Sequence, residues 1–148
     1  MRAVVQRVSR AQVSVDQALV SSIGPGFLVL LGVEESDNSD DVAYIAGKIL
    51  GLRVFPDESG KMNRDILQAG GSVLLVSQFT LYGDARHGRR PSFTQAAEPQ
   101  KANSLYMAVA ARLAEQCRVQ TGRFGADMQV ELVNDGPVTI LLESRKLF

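Results

Sequence analysis

Two short segments hold most of the residues that have chemistry to offer. In the first, Ser77-Gln78-Phe79-Thr80 follows the apolar run Val73-Leu74-Leu75-Val76. A buried strand that emerges with two hydroxyls, an amide and an aromatic ring is a candidate site. The plainer alternative is that Ser77 and Thr80 cap a strand end while Phe79 returns to the core. The second segment is Asn134-Asp135-Gly136-Pro137-Val138-Thr139. Asp-Gly signals a hairpin turn, because glycine takes positive φ without a Cβ clash. Pro137 fixes its own φ, donates no backbone hydrogen bond and restricts Gly136. The result is a stiff turn exposing carbonyls that no ladder claims. It is either a well-made hairpin turn or a rigid backbone probe that touches a ligand.

The remaining reactive residues point elsewhere. His87 is the single histidine and lies in an Arg-rich stretch with no partner fixed for a nucleophile-base pair. Cys117, the single cysteine, continues the apolar stripe of a helix, which suits packing and excludes an intrachain disulfide or a cysteine zinc cluster. No glycine-rich phosphate loop opens a helix, and no His and carboxylate spacing suits zinc, so the expectation is neither cofactor nor metal. An enzyme built from this chain works through backbone donors, hydroxyls and the substrate's own groups. Arg86, His87, Arg89 and Arg90 form a dense basic cluster, and Arg2, Arg7 and Arg10 a looser one; both read first as solvated faces.

The elements that must position these residues follow from periodicity. At 148 residues, 45% of them hydrophobic, the chain reads as one domain, 1–148, with a sizeable core. Sixteen acidic and 16 basic residues cancel, which argues against a grip on nucleic acid by bulk charge. No signal peptide or membrane span is legible, and a cytoplasmic protein is expected. Residues 2–15 read as a long strand whose apolar parity changes, placing a bulge near Ser9–Gln12. Residues 17–23 form a second strand. Phe27 to Val33, apolar on both parities, is a central strand covered on both faces. Asp37-Asn38-Ser39 starts a helix that runs to about Leu50. A short strand at Leu52–Phe55, a turn at Pro56–Gly60 and a short helix near Asp65–Gln68 precede the second central strand, Ser72 to Phe79. Pro99 opens another helix, with Tyr106, Val109, Leu113 and Cys117 at helical spacing, ending near Arg118–Gly122. Met128, Val130 and Leu132, then Val138, Ile140 and Leu142, alternate as the two strands of a closing hairpin.

Taken together, Val76-Ser77-Gln78-Phe79-Thr80-Leu81 and Asn134 to Thr139 resemble the two signature motifs of the D-aminoacyl-tRNA deacylases, including the D-tyrosyl-tRNA deacylases. Val5-Gln6-Arg7-Val8, Gly60-Lys61-Met62-Asn63, Arg90-Pro91-Ser92-Phe93 and Thr121-Gly122-Arg123-Phe124 extend the resemblance along the whole chain; the Tyr82 to Gly88 loop matches least well. The resemblance implies a compact α/β fold of β-sheet layers with helices packed outside. It implies a homodimer with active sites at the interface, and hydrolysis of the ester joining a D-amino acid to the 3′ end of a tRNA, without metal or cofactor. It also implies a cis Gly136–Pro137 bond offered to the partner subunit's pocket.

On that resemblance, Thr80, Phe79 and Ser77 are the expected catalytic residues, and Gln78, Phe124, Met128, Gly136 and Pro137 the expected substrate-binding ones. D and L esters carry identical groups, so selection must exclude a wrong arrangement, and backbone is stiffer than any side chain for that purpose. Such steric rejection of L residues leaves achiral glycine, hence glycyl-tRNA, as a possible substrate. The N–H groups of Phe79 and Thr80 are candidates for an oxyanion hole. Gln78 is a candidate to bind the terminal adenosine. Thr80 is the obvious nucleophile but no base is visible beside it; activation of water by the ribose 2′-hydroxyl is therefore favoured. The competing readings are a non-catalytic RNA-binding module and a hydrolase of small D-amino acid esters.

Overall fold

Three strands hydrogen-bond to the first one, which makes it the spine of the molecule. In the computed structural model, which describes residues 1–148, strand β1 (Arg2–Val15) pairs antiparallel with β2 (Ala18–Ile23) through Ala11–Val15 and with β3 (Gly26–Gly32) through Arg2–Val8. Its other edge is covered along nearly its whole length by β8 (Gln129–Glu143). Beyond β3 the sheet continues in parallel with β6 (Ser72–Ser77) and β7 (Arg118–Thr121), giving the order β2-β1-β3-β6-β7 with β8 attached to β1. Because β1 hands over from β3 to β2 part-way along, the sheet bends. The Ser21 hydroxyl of β2 donates to the Thr121 carbonyl of β7 at 2.8 Å, so the two ends of the path meet and the sheet is nearly a barrel. One curled sheet thus stands where separate layers were expected.

Two apolar clusters follow from that curl. Inside it, Val8, Ala11, Val13, Ile23, Leu28, Leu74 and Val76 pack together. Outside it, Phe27, Val29, Leu31, Val73 and Leu75 meet the helices α1 (Ser39–Gly51) and α3 (Pro99–Ala114). The alternate residues of β3 and β6 therefore serve both clusters, as their unbroken apolar runs require. Asn38 caps α1 in a reciprocal capping box with Asp41, and Glu98 caps α3 ahead of Pro99. Strands β4 (Phe55–Pro56) and β5 (Met62–Arg64) form a small hairpin, and α2 (Ile66–Ala69) is one capped turn.

Several expectations are corrected. The closing hairpin does not exist: β8 is one strand, and both of its halves pair with β1 in the same direction, Gln129 opposite Ser14 and Glu143 opposite Arg2. Asn134 faces Val8 and Thr139 faces Gln6, so Asp135 to Val138 stand against Arg7 alone. An Asp-Gly turn reverses a chain only if the flanking strands pair with each other, and here β1 takes both. The parity change in β1 accordingly lies at Gln6–Arg10, across from this excursion, rather than at Ser9–Gln12. Helix α3 stops at Ala114, and Arg118–Thr121 becomes β7, because the open edge of β6 accepts a parallel partner there. Strand β6 ends at Ser77 rather than Phe79, and the short strand foreseen at Leu52–Phe55 is reduced to Phe55–Pro56.

Candidate active site

A cleft of about 520 Å³ opens at the carboxyl ends of the parallel strands β3 and β6. That is where parallel sheets place their ligand sites, because loops and helix starts converge there with free backbone groups. The volume is within the range of small-ligand pockets, and the lining is mainly apolar. Ser77, Gln78, Phe79 and Thr80 form one wall, Ala96, Ala97 and Pro99 a second, and Phe124 to Met128 a third. Distant parts of the chain are thus brought together around the residues expected to act.

The wall at Ser77–Thr80 has a specific construction. The Gln78 N–H donates to the Leu31 carbonyl at 2.8 Å, the last ladder bond to β3. The chain then wraps into a 3-10 turn, Phe79–Tyr82, in which Leu81 N–H donates to Gln78 O and Gly83 N–H to Thr80 O. The N–H groups of Phe79 and Thr80 open this turn and have no backbone acceptor, as the first donors of any helix do. Phe79 is 58% exposed. The Thr80 hydroxyl accepts a hydrogen bond from the Gln78 side-chain amide. An amide NH₂ is a donor and cannot take a proton, so this partner does not activate Thr80.

Support lies behind the wall. Gly32 allows the turn to sit directly on β3: a Cβ there would meet Gln78 O at 3.0 Å and Leu81 Cβ at 3.1 Å. Arg2 donates to the Leu81 carbonyl at 3.0 Å and lies 4.5 Å over the Tyr82 ring. Burial, reinforced by Asp37 and Glu34, pushes the Tyr82 hydroxyl far up, so it stays protonated. On the opposite side the Tyr106 hydroxyl donates to the Leu75 carbonyl at 2.7 Å, and burial pushes its pKa up to about 12. The Tyr106 ring lies 5.9 Å from that of Phe124, which fixes the third wall against α3.

Gly136 and Pro137 are elsewhere. Their peptide bond is cis, and both residues are exposed on β8 and absent from the cleft lining of their own chain. The excursion that carries them is closed by Asn134, whose side-chain amide donates to Val138 O at 3.1 Å and whose Oδ1 accepts from Val138 N–H at 2.7 Å. Arg7 holds it from β1, donating to the Asp135 carbonyl at 2.8 Å and to Val54 O. Sequence reasoning missed Arg2, Gly32 and the closing role of Asn134. An Asn before Asp-Gly was a legible signal for the last, since Asn side chains mimic backbone in turns. It also missed Asp127, the single carboxylate on the cleft wall, which no local pattern marked.

Comparison with known proteins agrees with this geometry. The family model described as D-Tyr-tRNA(Tyr) deacylase matches residues 4–143. The chain belongs to that family. It is 60% identical over 149 aligned positions to the D-aminoacyl-tRNA deacylase of Anaeromyxobacter dehalogenans, covering 100% of both chains. It is 60% identical to that of Symbiobacterium thermophilum, covering 100% of this chain and 99% of that one. Among solved structures, the c-Myc DNA unwinding element binding protein superposes with a TM-score of 0.92 at 43% identity, over 97% of this chain and 98% of that one. A probable eukaryotic D-amino acid tRNA deacylase shares the fold, with a TM-score of 0.82 at 16% identity over 95% and 97%.

Proposed function

We propose that this chain is a D-aminoacyl-tRNA deacylase that hydrolyses the ester joining a D-amino acid to the 3′ end of a tRNA, in the cytoplasm, releasing both. The observation that carries the reading is full-length kinship with proteins of that name. In the mechanism we favour, the terminal nucleotide enters the cleft and Gln78 binds its base. The N–H groups of Phe79 and Thr80 stabilise the oxyanion formed as water adds to the ester carbonyl; one such donor contributes about 3 kcal/mol in other hydrolases. Ser77 holds the strand end on which this wall is built. Thr80 is bonded to an amide donor, so the route proposed has the ribose 2′-hydroxyl of the substrate orienting the water. Phe124 and Met128 shape the far wall.

Gly136 and Pro137 act on a second copy in this reading. They stand outside the cleft of their own chain, on a strand whose outer edge has no partner, so a homodimer is the arrangement that brings them to a cleft. There the excursion leaves no room for an L side chain and lets a D side chain point outward. Glycine has no side chain to reject, so glycyl-tRNA is hydrolysed too. The test is the loss of ester from D-tyrosyl-tRNA, L-tyrosyl-tRNA and D-tyrosine methyl ester with purified protein. Only the D-tRNA ester disappears on this reading. Binding of tRNA with no turnover would favour the nucleic-acid-binding alternative, which the name of the 43% identical structure brings forward. Turnover of the methyl ester at a comparable rate would favour a small-ester hydrolase.

A further inference from the structure

Between two walls of the cleft the chain makes a single excursion. It leaves from the 3-10 turn, whose Phe79 and Thr80 line the cleft, and returns through Ala96 and Ala97, which line it from the other side. Its base is closed in both directions: Asp84 N–H donates to Ser92 O at 2.7 Å and Ser92 N–H to Asp84 O at 2.9 Å. Phe93 packs edge-on against Phe79, ring centroids 5.1 Å apart, and a bridge between Glu34 and Ala96 ties the returning limb to the end of β3. The tip, residues 85–91, is therefore carried by a loop whose two ends line the cleft, and it is exposed throughout.

The tip carries Arg86, Arg89 and Arg90, and they are not equivalent. Arg86 is committed inside the loop: its guanidinium donates to both carboxylate oxygens of Asp84, at 2.9 and 2.6 Å. Arg89 and Arg90 form no ion pair with any carboxylate of the chain. With a formal net charge of zero, no overall field draws in a polyanion. Two unneutralised guanidinium groups on a tied-down loop rooted in two walls of the cleft can serve as a local anion grip, and the planar fork of arginine matches phosphate oxygens. A tRNA that places its terminal nucleotide in the cleft sends its next phosphates out through the cleft mouth.

We propose that Arg89 and Arg90 hold the phosphodiester backbone of the substrate's 3′ strand just upstream of the terminal nucleotide, with the Asp84–Arg86 pair stiffening the loop that presents them; this rests on the deacylase reading above. The two arginines touch neither the ester nor the base. They set affinity for the tRNA and leave the chemical step alone.

The test compares the intact protein with R89A/R90A and with the charge-retaining R89K/R90K. Hydrolysis of D-tyrosyl-tRNA is followed from 50 to 300 mM salt, beside 3′-O-D-tyrosyl adenosine, which has no phosphate. For R89A/R90A the expected result is kcat/KM on the tRNA ester lowered by about 10-fold or more. The slope of log kcat/KM against log salt should be shallower by about 1.4, two contacts at about 0.7 each for a single strand. The kcat at saturation and the rate on the adenosine ester should be unchanged, and R89K/R90K should retain most of the slope. An unchanged slope for R89A/R90A, or an equal loss on both substrates, overturns the assignment. If the wild-type protein turns over no D-tyrosyl-tRNA, the deacylase reading itself fails, and that outcome is distinct because it appears without any substitution.

Discussion

Thr80 is the residue whose substitution tests the proposed catalytic route. Its hydroxyl accepts from the Gln78 amide, and no proton acceptor is bonded to it. If the substrate's 2′-hydroxyl orients the water, Thr80→Ala keeps kcat within about 10-fold of wild type, whereas loss of a true nucleophile lowers kcat by on the order of 10⁶ in a well-studied hydrolase. Single-turnover rates with D-tyrosyl-tRNA decide between these. Tyr106 gives a second prediction at this scale. Its folded pKa, about 12, lies above the ordinary tyrosine value because burial disfavours the phenolate. The neutral form is therefore favoured by folding. The contribution is fully present below about pH 10 and is lost as pH rises towards 12. Urea unfolding at pH 7 to 12 should show wild-type stability falling across that window, and Tyr106→Phe should show a smaller fall. At neutral pH the same variant should be less stable by about 0.5–1.5 kcal/mol, the scale of one lost hydrogen bond, because the Gly122 N–H still donates to the Leu75 carbonyl.

Among the elements, β8 has the most to explain. It would be an ordinary edge strand were it not for the four-residue excursion that Asn134 closes from both sides. Removing that side chain takes both of these hydrogen bonds from half-buried Val138 and loosens the segment carrying Gly136 and Pro137. Asn134→Ala should lower kcat/KM on D-tyrosyl-tRNA by about 10- to 100-fold, the scale of a displacement near 1 Å, and should narrow the preference for D over L. Asn134→Asp, which still accepts from Val138 N–H, should fall between the two. An unchanged D to L ratio in Asn134→Ala would mean the excursion does not select. Gly32 illustrates the same lesson on β3. Its lack of a side chain is what lets the 3-10 turn, and so the donors of Phe79 and Thr80, lie against the strand end.

At the level of the whole molecule, the free edge of β8 is the main unfinished surface. Val133 and Leu141 are exposed along it, at 37% and 57%, beside Gly136 and Pro137. An unprotected edge of this length invites pairing. The molar mass in solution is expected to be about 32 kDa, twice the 16.0 kDa chain. Leu141→Lys should shift it towards the single-chain value by light scattering and should depress deacylation, although the cleft of each chain is untouched. A fully active single-chain Leu141→Lys protein would show that Gly136 and Pro137 are not delivered by a partner.

The sequence by itself determined what local periodicity and turn chemistry encode. The two-faced apolar runs of β3 and β6, the Asn38 and Pro99 helix starts, and the polar outburst at Ser77–Thr80 were all legible, because each is decided by neighbours within a few residues. The signature resemblance carried the family. Only the tertiary structure decided which edges pair. Nothing local told Arg118–Thr121 to leave α3 and join β6, or told the two halves of β8 to run along β1 rather than against each other. Strand pairing is a choice among partners far apart in the chain, settled by which open edge and which apolar face are free once the rest has packed. The cleft is a consequence of that choice, since its walls meet only when the sheet has curled.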